Sequence, residues 1–249
     1  MKGLFTLTSS ESKRLIAKAV PLLPQVNHAL ENGTIIVANG TTNAFVAEEL
    51  GGARIPSKLL YSAGIITQGM LGTTPVDKRI PALVLQKGKR VDIPWQDALA
   101  GFGPGDVFIK GGNAIDLDGC VGVLVADPNG GTIGRALPVI QARGATLVMP
   151  VGLEKLVPSV AEAAGCLGAR TFDWALGTPV GMIVVTNAEI ITEIEAIELL
   201  TGASATCVAS GGIGGSEGAV TLVVTGDERQ VGKAREIVEA IKGEGPITW

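Results

Sequence analysis

GTIIVANGTTNAFVAEEL, residues 33–50, is the stretch whose reading decides the fold. Ile35, Ile36 and Val37 form an apolar β-branched run, as a strand covered on both faces requires, so residues 34–38 read as a buried strand. Asn39-Gly40-Thr41 then reads as a tight turn, where Gly40 permits the positive φ or close backbone approach that a strand-to-helix turn demands. Thr41, Thr42 and Asn43 suit a helix start, and Phe45, Val46 and Leu50 supply the buried stripe of the helix that follows. A helix start presents free N–H groups and partial positive charge, and the hydroxyls add donors, so an anion site is available here. Such turns occur throughout doubly wound sheets, and most bind nothing; the rest of the chain has to decide.

Upstream, residues 8–20 open with a capping box, in which Thr8 or Ser9 caps and Glu11 reaches back, and Leu15, Ile16, Ala19 and Val20 make a helical face. Pro21 and Pro24 end or kink that helix, and a short helix follows at 25–30. Downstream, residues 53–105 are less regular: a strand within 58–66, a loop at 68–75, a hairpin of 83–85 with 90–93 around Gln86-Lys87-Gly88-Lys89, and a helical turn at 95–100. Strands at 106–109, 121–126, 145–149 and 181–185 then alternate with helices at 132–143 and 158–165. This alternation predicts an α/β domain over residues 1–180, with a mostly parallel, Rossmann-like open sheet and helices on both faces. A helix at 188–201, strands at 205–209 and 220–225, and a helix at 227–242 capped by Asp227 follow. With strands near Ile183 and Ile247 they predict a small ferredoxin-like α+β unit over 181–249. The glycine-rich 210–218 joins two strands and does not lead into a helix, so its Gly212-x-Gly214-Gly215 is no dinucleotide fingerprint.

The composition narrows the function classes. The chain has 249 residues, 46% apolar and 18% charged, enough for a sizeable core. A net charge of −4 without basic runs gives no reason to expect nucleic acid or an anionic membrane surface as partner. No apolar h-region opens the chain and no apolar segment is long enough to span a bilayer, so a cytoplasmic protein is expected. The lone His28 excludes a His-based metal site. Cys120, Cys166 and Cys207 have neither zinc nor disulfide spacing and read as buried or neutral thiols. No metal and no cofactor is expected. Leu59, Leu60, Tyr61, Ile65 and Ile66 are candidates for a homo-oligomer interface.

In an open parallel sheet, ligands sit beyond the carboxyl ends of the strands. Four such ends carry unusual residues: Gly40-Thr41-Thr42-Asn43, Lys110-Gly111-Gly112-Asn113, Gly130-Gly131-Thr132 and Glu154-Lys155. Arg135 lies one turn into its helix. Glycines let an oxyanion approach backbone N–H groups, and Lys110, Lys155 and Arg135 supply charge, so a shared anion pocket is expected.

The order and spacing of these segments resemble ribose-5-phosphate isomerase, within the superfamily that also holds glucosamine-6-phosphate deaminase and CoA transferases. KRLIAKAV (13–20) and GTTNAFVAEEL (40–50) resemble that isomerase's first helix and its G-T-G-S-T phosphate turn. KGGNAID (110–116) resembles its D-G-A-D-E-x-D segment, GGTIGRALPV (130–139) its glycine-rich turn and helix, and MPVGLEKLV (149–157) its D-E-S-K segment. The resemblance implies an α/β fold with a ferredoxin-like ending, and it places Lys155 at a substrate-contacting lysine. The departures matter more. Lys110 and Asn113 stand where the isomerase has aspartates, and Ala136 stands where it carries a catalytic glutamate. Asn and Ala cannot move a proton between sugar carbons.

Two classes of function follow. In the first, Thr41, Thr42, Gly131 and Thr132 hold a phosphorylated sugar or similar small anion, Lys110 and Lys155 neutralise it or polarise a carbonyl, and Asp127 or Glu154 handles protons. A Lys110 of depressed pKa can also serve as base or Schiff-base amine. In the second, the same scaffold is a non-catalytic ligand sensor or assembly module. A CoA transferase, with Glu154 as nucleophile, is a weaker third reading, because Glu154 lies in no glutamate-glycine motif. The missing carboxylates predict absent or very weak isomerisation of ribose 5-phosphate; a direct turnover assay checks this, and robust activity would overturn it.

Overall fold

A computed structural model describes residues 1–248. In chain order its elements are β1 (Lys2–Leu7), α1 (Ser9–Ala19), α2 (Pro24–Asn32), β2 (Thr34–Val37), α3 (Thr41–Gly51), β3 (Gly64–Thr67), β4 (Met70–Thr73), β5 (Leu83–Gln86), β6 (Lys89–Val91), α4 (Trp95–Ala100), β7 (Val107–Ile109), β8 (Ala114–Ile115), β9 (Val121–Val125), α5 (Gly131–Arg143), β10 (Thr146–Pro150), α6 (Val160–Gly165), β11 (Gly181–Val185), β12 (Glu189–Ile191), α7 (Glu193–Thr201), β13 (Ser204–Ser210), β14 (Val220–Thr225) and α8 (Glu228–Ile241). The fold is mixed α/β. Its central sheet runs β12-β10-β7-β2-β5-β6, with the first four strands parallel and β5 and β6 antiparallel at one edge.

Strand β2 is buried on both faces, and its alternating side chains divide the core in two. Ile35 and Val37 enter a cluster with α1, α2 and α3; Ile36 enters another with α4 and α5 through Ala98, Leu99, Ile133, Ala136 and Ile140. Helices therefore cover both sides of the sheet. The expected cap of the first helix is present: Thr8 accepts from Glu11 N–H, and the Glu11 side chain accepts from Thr8 N–H at 2.9 Å.

Pairing departs from expectation in several places. β9 and β11 are not part of the parallel sheet; with β8 they form an antiparallel sheet, β11-β9-β8. The C-terminal strands are completed by β1, antiparallel to β14 in the order β1-β14-β13, and not by the strand at Ile183; no strand forms at Ile247. The division at residue 180 therefore does not follow the pairing, since β11 and β12 join β9 and β10 while β1 joins β14. One hydrophobic cluster joins Leu15, Phe45 and Val37 to Leu222, Val224, Val238 and Ile241, which is why the C-terminal elements share the core of the larger sheet.

The middle of the chain also differs. Residues 58–62 form no strand, and part of the expected 68–75 loop is β4, paired with β3 in a two-stranded ribbon. Tyr61 and Leu59 are buried, so they cannot serve as a free interface; the Tyr61 hydroxyl donates to Val37 O at 2.7 Å and accepts from Leu83 N–H at 2.9 Å, tying β2 to β5. Cys166 is exposed and not buried, and all three cysteines are free.

Arg14 fastens α1 to α3 and to the C-terminal segment. It donates to Glu49 at 2.9 Å, to Glu244 at 2.8 Å and to Glu48, and it stacks over Phe45 at 4.7 Å. Burial favours the neutral acid at Glu48, but hydrogen bonds from Arg14, Lys58 and Ile55 N–H outweigh it and hold the carboxyl below its ordinary range. That stabilisation is complete above the unfolded carboxylate pKa and is lost as the pH falls through the folded value. Arg14→Met leaves three carboxylates clustered without their shared partner; urea unfolding is expected to show a loss of about 3 kcal/mol. An unchanged midpoint would contradict this role for Arg14.

Candidate anion-binding site

The parallel register sets the strand ends level. Val37 is paired with Ile109, and Ile109 with Val148. The segments leaving β2, β7 and β10 therefore start side by side. Asn43 stitches two of them, its Nδ2 donating to Ala38 O at 2.7 Å and to Ile109 O at 3.1 Å. Asn43 is fully buried and faces the strand ends, so it positions the turn and does not line the space in front of it.

The loop at 130–132 arrives from the smaller β11-β9-β8 sheet. It reaches the same edge because Ile133, Ala136 and Ile140 seat α5 against Ile36, Phe108 and Met149 of the central sheet. Together these segments line a cleft of about 490 Å³ that contains Gly40, Thr41 and Thr42, Lys110 to Asn113, Asp127, Gly130 to Thr132, Arg135 and Lys155. Of the expected site residues, only Asn43 and Glu154 lie outside it.

Two helices, α3 and α5, begin at this cleft, and no side chain caps either of them. Their first N–H groups and positive dipole ends are thus directed at the cleft without a capping side chain, Asp127 beside the start of α5 being the one carboxylate on the lining. Glycine is required where α5 begins. Gly130 and Gly131 have φ of 76° and 58°, and a Cβ on Gly130 would lie 2.9 Å from Ile183 Cδ1. Thr42, 2% exposed, carries a buried hydroxyl with no hydrogen-bond partner at the start of α3. A buried donor left unmade is costly, and a ligand oxygen would satisfy it.

The charges on the cleft oppose those of the whole chain. Arg79, Lys110, Arg135 and Lys155 line it against a single carboxylate, Asp127, although the chain's net charge is −4. Lys110 Nζ donates to Gly111 O at 3.0 Å, and Lys155 Nζ donates to Gly112 O at 2.8 Å; neither forms an ion pair among the described residues. Burial pushes Lys110 down to about 8, and the neighbouring charge of Lys155 adds to the effect. Burial also pushes Lys155 down to about 8; Glu154 and Glu193 oppose this and Lys13 reinforces it. Asp127 accepts from Asn129 N–H at 2.7 Å and lies 4.0 Å from Arg135, with its side chain partly in solvent.

Glu154 points the other way, toward α1 and α7. Its Oε1 accepts from Lys13 Nζ at 2.9 Å, and its neighbour is Glu193, whose carboxyl is pushed up to about 7 by burial and by the charge of Glu154. It therefore acts as a buried counter-charge behind Lys155 and not as an acid or nucleophile facing a ligand. Arg79, Trp95 and Gln96 line the cleft and were not expected from the sequence. Arg79 donates from Nη2 to Thr74 O at 2.7 Å, while its buried Nε has no partner. A single arginine in an irregular segment carried no signal of this. The hairpin β3–β4 contributes Ile65, Ile66 and Leu71 to the same rim.

Among the described residues, no group of three or more His, Cys, Asp and Glu side chains is placed to hold a metal ion, and no helix is long and apolar enough to cross a membrane. No protein-family model, curated protein or solved structure matches the chain.

Thr42→Val separates binding from folding. It replaces an unsatisfied buried hydroxyl with a methyl group of equal shape, so thermal stability is expected to hold or rise by about 1 kcal/mol. Affinity for inorganic phosphate, measured by calorimetry, is expected to fall. A loss of stability with unchanged affinity would mean that the hydroxyl serves the fold.

Proposed function

We propose that this protein binds a small phosphorylated metabolite in the cleft and acts on it as a sugar-phosphate isomerase-like enzyme built on a Rossmann-like open sheet. The observation that carries the reading is the reversal of charge: four cations and two uncapped helix starts around one carboxylate, in a chain that is acidic overall. A phosphate seated against the amides of residues 41–43 and 131–133 would meet both dipole ends and the Thr42 hydroxyl. Lys110 and Lys155 would then face the remainder of the molecule, where an ammonium polarises a carbonyl oxygen and stabilises an enediolate. Asp127, the one carboxylate on the lining, is the group available to carry a proton between adjacent carbons.

The same solitary carboxylate supports the second reading, a ligand-sensing or assembly module that binds without turnover. A CoA transferase requires a carboxylate nucleophile open to the acyl group. Glu154 is held by Lys13 outside the cleft, so it does not support that chemistry.

Binding an anion favours the ammonium form of both lysines and raises their pKa above about 8. Phosphate binding at pH 8 is therefore expected to take up protons, detectable as a dependence of the calorimetric enthalpy on the buffer. Affinity should fall as the pH rises from 7 to 9. Lys110→Met and Lys155→Met should each weaken inorganic phosphate and ribose 5-phosphate by about ten- to a hundredfold, the worth of a charged hydrogen bond. Unchanged affinity in both variants would overturn the reading.

A further inference from the structure

We propose that Lys110 is a nucleophile that forms an imine with the carbonyl carbon of a phosphorylated aldehyde or ketone, an inference that rests on the anion-site reading above. The two lysines of the cleft are not equivalent. Lys155 lies close to Glu154, Glu193 and Lys13, a buried group of mixed sign on its far side. Lys110 has only Lys155 as a charged influence, and the two side chains hydrogen-bond to consecutive carbonyls, Gly111 O and Gly112 O, of one turn. Two ammonium groups anchored on neighbouring carbonyls repel, and both are lowered to about 8; Lys110 differs in having no acidic neighbour to hold its proton. This is one of the ways in which enzymes make an amine nucleophilic at neutral pH. At pH 7 a far larger share of Lys110 is neutral than of an ordinary lysine.

Placement supports the same assignment. Lys110 directly follows β7, level with Ala38 just before the Asn39-Gly40 turn, and lines the same cleft as both helix starts, so a phosphate seated there keeps the rest of its molecule in the cleft that the amine lines. The turn packs closely on β9, where a Cβ on Gly112 would lie 2.2 Å from Val121 Cγ1. In the reaction the lone pair of neutral Lys110 attacks the carbonyl carbon. The C–N bond forms, the C–O π bond opens, and the oxygen takes a proton from the Lys155 ammonium. A second proton passes from the former amine to the hydroxyl, which leaves as water. The products are the protonated imine on Lys110, one water and neutral Lys155. No oxidant or reductant is consumed.

The test uses glycolaldehyde phosphate as probe, with sodium borohydride reduction and peptide mapping by mass spectrometry. On the wild-type protein the reduced adduct is expected at Lys110 in large excess over every other lysine, and inorganic phosphate should suppress it. The labelling rate should rise with pH to an inflection near 8. In Lys155→Gln the inflection should move upward and labelling at pH 7 should slow severalfold. Lys110→Arg, which keeps a cation but has no nucleophilic amine, should lose the adduct at residue 110; if that variant fails to fold, the wild-type map and pH profile still decide. Phosphate binding with adducts spread over surface lysines, as given by glycolaldehyde itself, would overturn the nucleophile and leave the anion site standing. Absence of phosphate binding would overturn both.

Discussion

The structure depends on the level ends of three parallel strands. Because β2, β7 and β10 run in register, their exits meet at one edge, and Asn43 ties the first two together through the carbonyls of Ala38 and Ile109. Nothing in that edge neutralises the helix that begins there. α5 adds a second uncapped start from a different sheet, directed by packing on the central sheet and not by strand pairing. Two dipole ends and four cations in one partly enclosed space are mutually repulsive, and such an arrangement costs stability unless an anion offsets it. Burial lowers the pKa values of Lys110 and Lys155, and a neighbouring lysine adds to the effect in each case.

The rest of the chain holds this edge rigid. Both faces of the sheet are covered, and the C-terminal elements add to the core on the face of α1 and α3. β1 reaches across from the other end of the chain to complete the C-terminal sheet, so N- and C-terminal segments are interlocked. Behind Lys155, the Lys13–Glu154 ion pair and the neighbouring Glu193 carry charge into the contact between α1, α7 and the central sheet. The cleft and the C-terminal elements are therefore electrostatically in touch, although no C-terminal residue lines the cleft.

Much of this was legible in the sequence because the relevant residues have narrow physical uses. A glycine followed by threonine after an apolar run implies a strand, a turn and a helix start, and the two such segments share one cleft with the glycine turn after β7. The failures have equally specific causes. Val121–Val125 and Gly181–Val185 are as apolar as buried parallel strands, and composition does not say which sheet they join. Glu189–Ile191 merges with the apolar period of the following helix; the capping box of Thr192 with Glu195 was the sign that the helix starts later. In Lys2–Leu7, adjacent Leu4 and Phe5 blur the alternation that puts Leu4 in solvent and Leu7 in the core. The direction of Glu154 was illegible, since a glutamate beyond a strand end reads alike whether it faces a ligand or Lys13.

We propose that one anion is held between the starts of α3 and α5. A crystal structure of the protein grown with millimolar phosphate tests it most directly. Phosphate density is expected within hydrogen-bond reach of the backbone N–H groups of residues 41–43 and 131–133 and of the Thr42 hydroxyl. A cleft holding only water under those conditions, or phosphate bound solely elsewhere on the surface, would contradict it.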